Sequence, residues 1–366
     1  MEMRMLGTTG VSVSKYCLGA GMFGKFGNED HDDCIRIIHA ALDAGINFID
    51  TSDVYSFGES ERIVGKALKG RREDVILATK FGLPVSDKPN RAGGSRPWIM
   101  REVENSLRRL DTDYIDLYQM HRPDPHTDLD DTLGALSDLV SQGKIRMLGS
   151  STFPAETLVE SFWVAERRSR EHWRTEQPPY SIFARRIEAD ILPVCERFGM
   201  GVLVWSPLAQ GWLSGKYRRG MEAIDAHRAN LQPQLFDPEN PDTTRKFDAI
   251  DALAQLAEDS GLSIMGIAMA FACEHPAVTS AIIGPRTMAH LEGLLEVEPV
   301  RLDSALLDAI DRIVPPGTNI SREDDGYLAP ALADPSRRRR QRSDDAAPAV
   351  VSGRTDKLRE MFGSED

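Results

Sequence analysis

Asp50 and Tyr55 lie five positions apart, and two later apolar runs end in Lys80 and His121. An acid, a phenol, an ammonium and an imidazole are the parts of a proton-donating site. A free phenol, with a pKa of ~10, is a poor acid at neutral pH. An adjacent ammonium favours the phenolate, and a carboxylate behind the ammonium lets it stay charged away from water. An imidazole can hydrogen-bond a substrate oxygen and orient it. Together the four suit protonation of an alkoxide as it forms. Singly, each has a plainer reading: a capping acid, a solvated lysine, a satisfied polar histidine. Their joint placement at separate strand ends points to chemistry.

Short β-branched or apolar runs alternate with amphipathic patterns along the chain. Strands are expected at 16–19, 47–50, 75–80, 114–119, 145–150, 174–177, 202–205 and 280–283. Helical patterns follow at 32–44, 60–68, 97–110, 129–142, 155–170, 188–198, 243–259 and 288–295. Eight such pairs are the arithmetic of a (β/α)8 TIM barrel, an α/β fold. Strand side chains alternate between faces. Ile46, Phe48 and Asp50 therefore share one face, as do Ile76, Ala78 and Lys80, and Leu117, Gln119 and His121. Each polar residue follows apolar ones at the C-terminal end of its strand, where barrels carry their active sites. Runs at 3–6 and 11–14, joined by Gly7-Thr8-Thr9-Gly10, predict a β-hairpin cap for the barrel's bottom.

The 366 residues suffice for one barrel, expected over 1–330. A net charge of −13 argues against non-specific nucleic-acid binding. Cys17, Cys34, Cys195 and Cys273 are scattered without ligand spacing, which predicts reduced thiols and no metal site. The longest apolar stretch, 262–272, falls short of the ~20 residues that span a bilayer, so a cytoplasmic protein without membrane contact is expected. Segment 206–241 is a long Gly- and Pro-bearing loop after the seventh barrel strand, and loops of that length are usually functional or disordered. Residues 331–366, with Arg337 to Arg340 and no apolar period, predict a disordered tail.

The motifs Asn47-Phe48-Ile49-Asp50-Thr51 through Tyr55, Gly58-Glu59-Ser60-Glu61, Ala78-Thr79-Lys80-Phe81-Gly82 and Asp113 through His121 resemble, in order, those of the aldo-keto reductase family. The likeness runs from about residue 3 to 330. It implies a (β/α)8 reductase that uses NADPH without metal and also admits NADH. Tyr55 is then the proton donor, Asp50 and Lys80 tune it, and His121 positions the carbonyl. The resemblance places Gly21, Met22 and Asp50 against the cofactor, and Ser151, Thr152 and Gln177 at its carboxamide, with Thr152 standing where the family usually has Asn. Trp205 would stack on the nicotinamide. Ser206, Pro207, Leu208, Gln210, Gly211 and Lys216 resemble the loop that clasps the pyrophosphate. Gly284-Pro285-Arg286-Thr287 resembles the 2′-phosphate site; His290, also placed against the cofactor, stands where many members have Gln or Arg, and Gly293 and Leu294 depart further from the family's pattern.

Phe23, Phe57, Trp98 and Trp212 fall in segments expected around the barrel mouth and would favour a small apolar or aromatic carbonyl substrate. Two other readings use the same residues. One is an NADPH-holding regulatory or sensor subunit with little turnover, like the family's potassium-channel β subunits. The other is an aldolase with a Schiff base on Lys80. The oligomeric state is not legible in the sequence.

Overall fold

The eight predicted strand runs fold into parallel strands that close on themselves. The computed structural model describes residues 1–219, 236–237 and 239–340. After a hairpin of β1 (Met3–Met5) and β2 (Ser12–Ser14), the barrel strands are β3 (Tyr16–Gly19), β4 (Phe48–Asp50), β5 (Ile76–Phe81), β6 (Ile115–Met120), β7 (Ile145–Ser150), β8 (Trp173–Glu176), β9 (Gly201–Val204) and β10 (Val278–Ile283). They pair in chain order, and β10 returns to β3 to complete the ring. The outer helices are α1 (His31–Asp43), α2 (Glu59–Ala67), α3 (Arg96–Leu110), α4 (Leu129–Ser141), α5 (Ala155–Arg168), α6 (Ile191–Phe198), α7 (Pro241–Ser260), α8 (Ile264–Glu274), α9 (Met288–Glu296) and α10 (Ser304–Ile313).

Two apolar layers hold this ring. Between strands and helices lies the larger one, built from strand residues such as Leu18, Ile49, Leu77, Tyr118 and Leu148 and helix residues such as Ile38, Val64, Val103 and Leu136. Inside the ring, Cys17, Phe48, Ala78, Leu117 and Leu203 pack with Leu6 and Val13 of the hairpin region. The hairpin thus plugs the bottom of the barrel, as expected. Above that apolar plug the inward positions turn polar, and the register sets Lys80 beside Gln119 and Gln119 beside Gly149.

Departures from the sequence reading are local. The helix expected at 188–198 is a 3-10 turn, Arg186–Ala189, followed by α6; Asp190 breaks the run and its side chain accepts from the Ile191 amide. The apolar stretch at 262–272 is α8, which is buried on nearly every side and so has no polar stripe for periodicity to detect. Its N-cap Ser263 accepts from the Gly266 amide. The region expected to be a tail begins with a helical turn, Pro330–Ala333, and a 3-10 turn, Pro335–Arg337. Residues 341–366 and most of the loop from 220 lie outside the described residues. Among the described residues no single helix is long and apolar enough to cross a membrane.

Candidate active site

Lys80 ends the inward face of β5 and is fully buried. Its Nζ donates to Asp50 Oδ2 at 2.5 Å, to the Thr51 carbonyl at 3.0 Å and to the Tyr55 hydroxyl at 3.2 Å. Burial opposes its charge, but the charges and hydrogen bonds of Asp50 and Tyr55 outweigh it and hold the ammonium above its usual pKa. Lys80 therefore stays protonated, which makes it a poor nucleophile and removes the aldolase reading. Tyr55 opens the short 3-10 turn Tyr55–Gly58, in which Ser56 and Phe57 adopt left-handed backbone (φ 47° and 56°). Non-glycine residues there are uncommon and gather at functional sites.

The carboxylate behind Lys80 is held by more than its ion pair. Asp50 Oδ1 accepts from Gln119 Nε2 and from Gln177 Nε2, both at 2.9 Å. Gln177 also donates to Gln119 Oε1 at 3.1 Å. Strands β4, β5 and β6 and the end of β8 thus meet on one carboxylate. Gly149 of β7 makes room for this: a Cβ there would lie 2.7 Å from Gln119 Cγ and 2.5 Å from Thr175 Oγ1. Gln119 was visible on the catalytic face of β6, yet only three-dimensional register reveals its bond to Asp50.

His121 follows β6 and is 7 % exposed. Burial, then the nearby charges of Lys80 and Arg122, hold its pKa well below the usual histidine value, so the ring is neutral. It lies edge-on to the Tyr55 ring, centroids 5.8 Å apart. Its Nδ1 hydrogen-bonds Ser52 Oγ at 3.2 Å, and the same hydroxyl bonds Asp53 Oδ1 at 3.0 Å. Asp53 is buried behind the site, near Glu61 and Glu102. Arg109 donates to both glutamates, at 2.5 and 2.6 Å.

Several positions around this core have geometry that a dinucleotide could use. Ser151 donates to the Gln177 carbonyl at 2.9 Å. Thr152 has left-handed backbone (φ 57°), which is costly for a β-branched residue. Just below, Glu176 takes a hydrogen bond from Ser150 at 2.5 Å and from the Phe153 amide at 3.1 Å, and burial pushes its pKa up to about 7. Gly326 covers one part of the Trp205 ring so closely that a Cβ there would stand 2.6 Å from it. After β9, Ser206, Ala209 and Gln210 have positive φ (58°, 47° and 58°), an unusual density of strained backbone, and Gly211 (φ 103°) follows without strain. At the far end of β10, a Cβ on Gly284 would meet nothing within 4 Å. Thr287 caps α9 by accepting from the His290 amide. Burial, then the positive charges of Lys216 and Arg286, lower the His290 pKa.

A model of the Aldo/keto reductase family matches residues 15–315. The chain belongs to the aldo/keto reductase family. It is 37 % identical over 335 residues to "Uncharacterized oxidoreductase YrpG" of Bacillus subtilis, which covers 86 % of this chain and 96 % of that one. "Aldo-keto reductase YhdN" of the same organism is 36 % identical over 83 % of this chain and 91 % of its own length. "Probable voltage-gated potassium channel subunit beta" of Oryza sativa subsp. japonica is 35 % identical over 78 % of this chain and 87 % of its own. As a member of this family the chain is an NAD(P)H-dependent oxidoreductase.

Within this aldo/keto reductase, the aromatic residues expected around the mouth divide. Phe23, Trp98 and Trp212 are 0 %, 1 % and 2 % exposed and pack inside the protein. Trp212 stacks on Phe236 and tilts against Tyr217 and Phe247, which anchors the chain after β9. Buried in this way, all three stabilise the segments that carry them. Phe57 is half-buried; with Asp53, Val54, Pro84, Val85 and Arg91 it lines a cavity of about 190 Å³. Sequence patterning cannot separate a loop aromatic that packs inward from one that faces a ligand.

Proposed function

We propose that the protein reduces aldehydes or ketones to alcohols with NADPH, and that Tyr55 delivers the proton. The single observation that carries this reading is the 3.2 Å contact from Lys80 Nζ to the Tyr55 hydroxyl, with Asp50 behind the ammonium. When bound, the nicotinamide supplies the hydride. The chain's own residues do the rest. Tyr55 donates its proton to the substrate oxygen as negative charge builds there. Lys80 stabilises the phenolate left behind, and Asp50 keeps that ammonium charged in a water-poor site. The neutral His121 donates a hydrogen bond that orients the carbonyl.

The positive charges of Arg286 and Lys216, both felt by His290 at the start of α9, support NADPH over NADH. A helix N-terminus attracts anions, and the arginine fork suits a phosphate. The strained, glycine-bearing segment 206–211 lets backbone amides approach a pyrophosphate. Ser151, Thr152 and Gln177 stand near the Asp50 network, where a carboxamide would meet them.

A second reading, an NADPH-holding regulatory subunit, is favoured by the likeness to a protein named as a potassium-channel β subunit. Fluorescence titration with NADPH, then a panel of carbonyl substrates, separates the two. Tight binding with cofactor oxidation on the panel supports the reductase. Tight binding with no oxidation on any carbonyl supports the regulatory reading.

A further inference from the structure

A neutral imidazole has one hydrogen on two nitrogens, so His121 can donate to a carbonyl oxygen only if that hydrogen is on the correct one. Nδ1 is engaged by Ser52 Oγ at 3.2 Å, which leaves Nε2 for the substrate. The Ser52 hydroxyl also has one hydrogen and two neighbours, His121 Nδ1 and Asp53 Oδ1 at 3.0 Å. Were Asp53 ionised, Ser52 would donate to it and would have to accept from His121 Nδ1–H. Nε2 would then be bare, and His121 would present a lone pair to the substrate oxygen. With Asp53 protonated the chain reverses: the acid donates to Ser52, Ser52 donates to Nδ1, and Nε2 carries the hydrogen.

We propose that Asp53 is held as the neutral acid and, through Ser52, fixes His121 in the tautomer whose Nε2–H faces the substrate. Asp53 is thus a positioning residue, rather than a partner in the proton transfer. Its surroundings argue for the neutral form. The side chain is buried, and Oδ2 has no hydrogen-bond partner among the described residues. An ionised carboxylate so placed would leave one charged oxygen without a protein partner, whereas a neutral acid leaves only a carbonyl oxygen. The groups facing it are Glu61 of α2, Glu102 and Arg109 of α3, Tyr118 of β6 and Ser52, and Arg91 and Asn105 line the same cavity. Arg109 is the cation that favours its ionised form, and its hydrogen bonds go to Glu61, Glu102 and Ser106. Burial, then Glu102 and Glu61, push the Asp53 pKa well above the usual carboxylate range. The groups facing His121 are Ser52, Tyr55, Lys80 and Arg122; burial first, then the two cations, keep the ring neutral.

This inference rests on the reductase reading for its consequence, but its main test does not need turnover. Nitrogen-15 NMR of the NADPH-saturated protein, labelled on histidine and assigned by loss of the signal in His121→Asn, reads the tautomer directly. The expected result is a protonated Nε2 and a bare Nδ1 in the native protein. Asp53→Leu and Ser52→Ala, which break the donor chain, should turn this into a mixture and lower kcat by at least about tenfold. Asp53→Asn, whose amide can donate as the neutral acid does, should restore the tautomer and most of the rate lost in Asp53→Leu. An Nδ1–H tautomer in the native protein overturns the proposal. So does an Asp53→Asn variant as slow as Asp53→Leu, or an unchanged tautomer in both chain-breaking variants. If no carbonyl is turned over, the reductase reading fails while the NMR still decides the tautomer.

Discussion

Removing one partner of the buried Lys80–Asp50 pair should cost more stability than removing both. At 2.5 Å, and with an effective dielectric of ~20, their attraction is roughly 7 kcal/mol. Desolvation of two ions takes back several kcal/mol of that. Lys80→Met leaves Asp50 charged and buried, with only the two amide donors of Gln119 and Gln177. A loss near ~3 kcal/mol is expected, the low end of the range for a broken buried pair, or a fall of roughly 4 °C in Tm for a chain of this length. The double variant Asp50→Leu/Lys80→Met replaces the pair by apolar groups of similar volume. It should regain most of that stability and still lack carbonyl reduction, since no cation remains beside Tyr55. Denaturant unfolding and turnover with a reactive aldehyde measure the two effects separately. A double variant less stable than Lys80→Met, or one that still turns over at the native rate, would refute the electrostatic account.

Three further outcomes follow from the same geometry. Gly149→Ala should destabilise the barrel by about 1–3 kcal/mol in denaturant unfolding, because its Cβ would press on Gln119 and Thr175. Glu176→Gln should remove a pH dependence: with a folded pKa of about 7 against 4.5 for the free side chain, the folded protein holds this proton where the unfolded chain has lost it. Glu176 thus contributes stability that is full below pH 4.5 and fades as pH rises to about 7, by roughly 3 kcal/mol. Unfolding curves of the native and Glu176→Gln proteins across that window should converge at the acid end and separate at the neutral end. Arg286→Ala should weaken NADPH binding roughly ten- to hundredfold and leave NADH nearly untouched, as read by fluorescence titration.

The fold was legible because its signals are local. Eight apolar runs, each followed by an amphipathic stretch, fix a barrel before any contact is known, and Leu6 and Val13 close it from below. Asp50, Lys80 and His121 were legible for the same reason: each follows apolar residues on an inward face at a strand's end. What stayed hidden depends on distant segments meeting. Gln119 and Gln177 are 58 positions apart and converge on Asp50. Asp53, Glu61 and Glu102 look like ordinary surface acids in sequence, and only their burial around Arg109 sets them apart. The burial of Trp98 and Trp212 was hidden as well, since an aromatic in a mouth segment has the same sequence signature whether it packs inward or faces a ligand. α8 was hidden because full burial erases the polar face that marks a helix.

The role of Tyr55 is tested most directly by single-turnover mixing of an NADPH-saturated protein with an aldehyde, native against Tyr55→Phe. The account predicts unchanged NADPH affinity and cofactor oxidation slowed by about 10²- to 10⁴-fold. Oxidation at the native rate in Tyr55→Phe would contradict it.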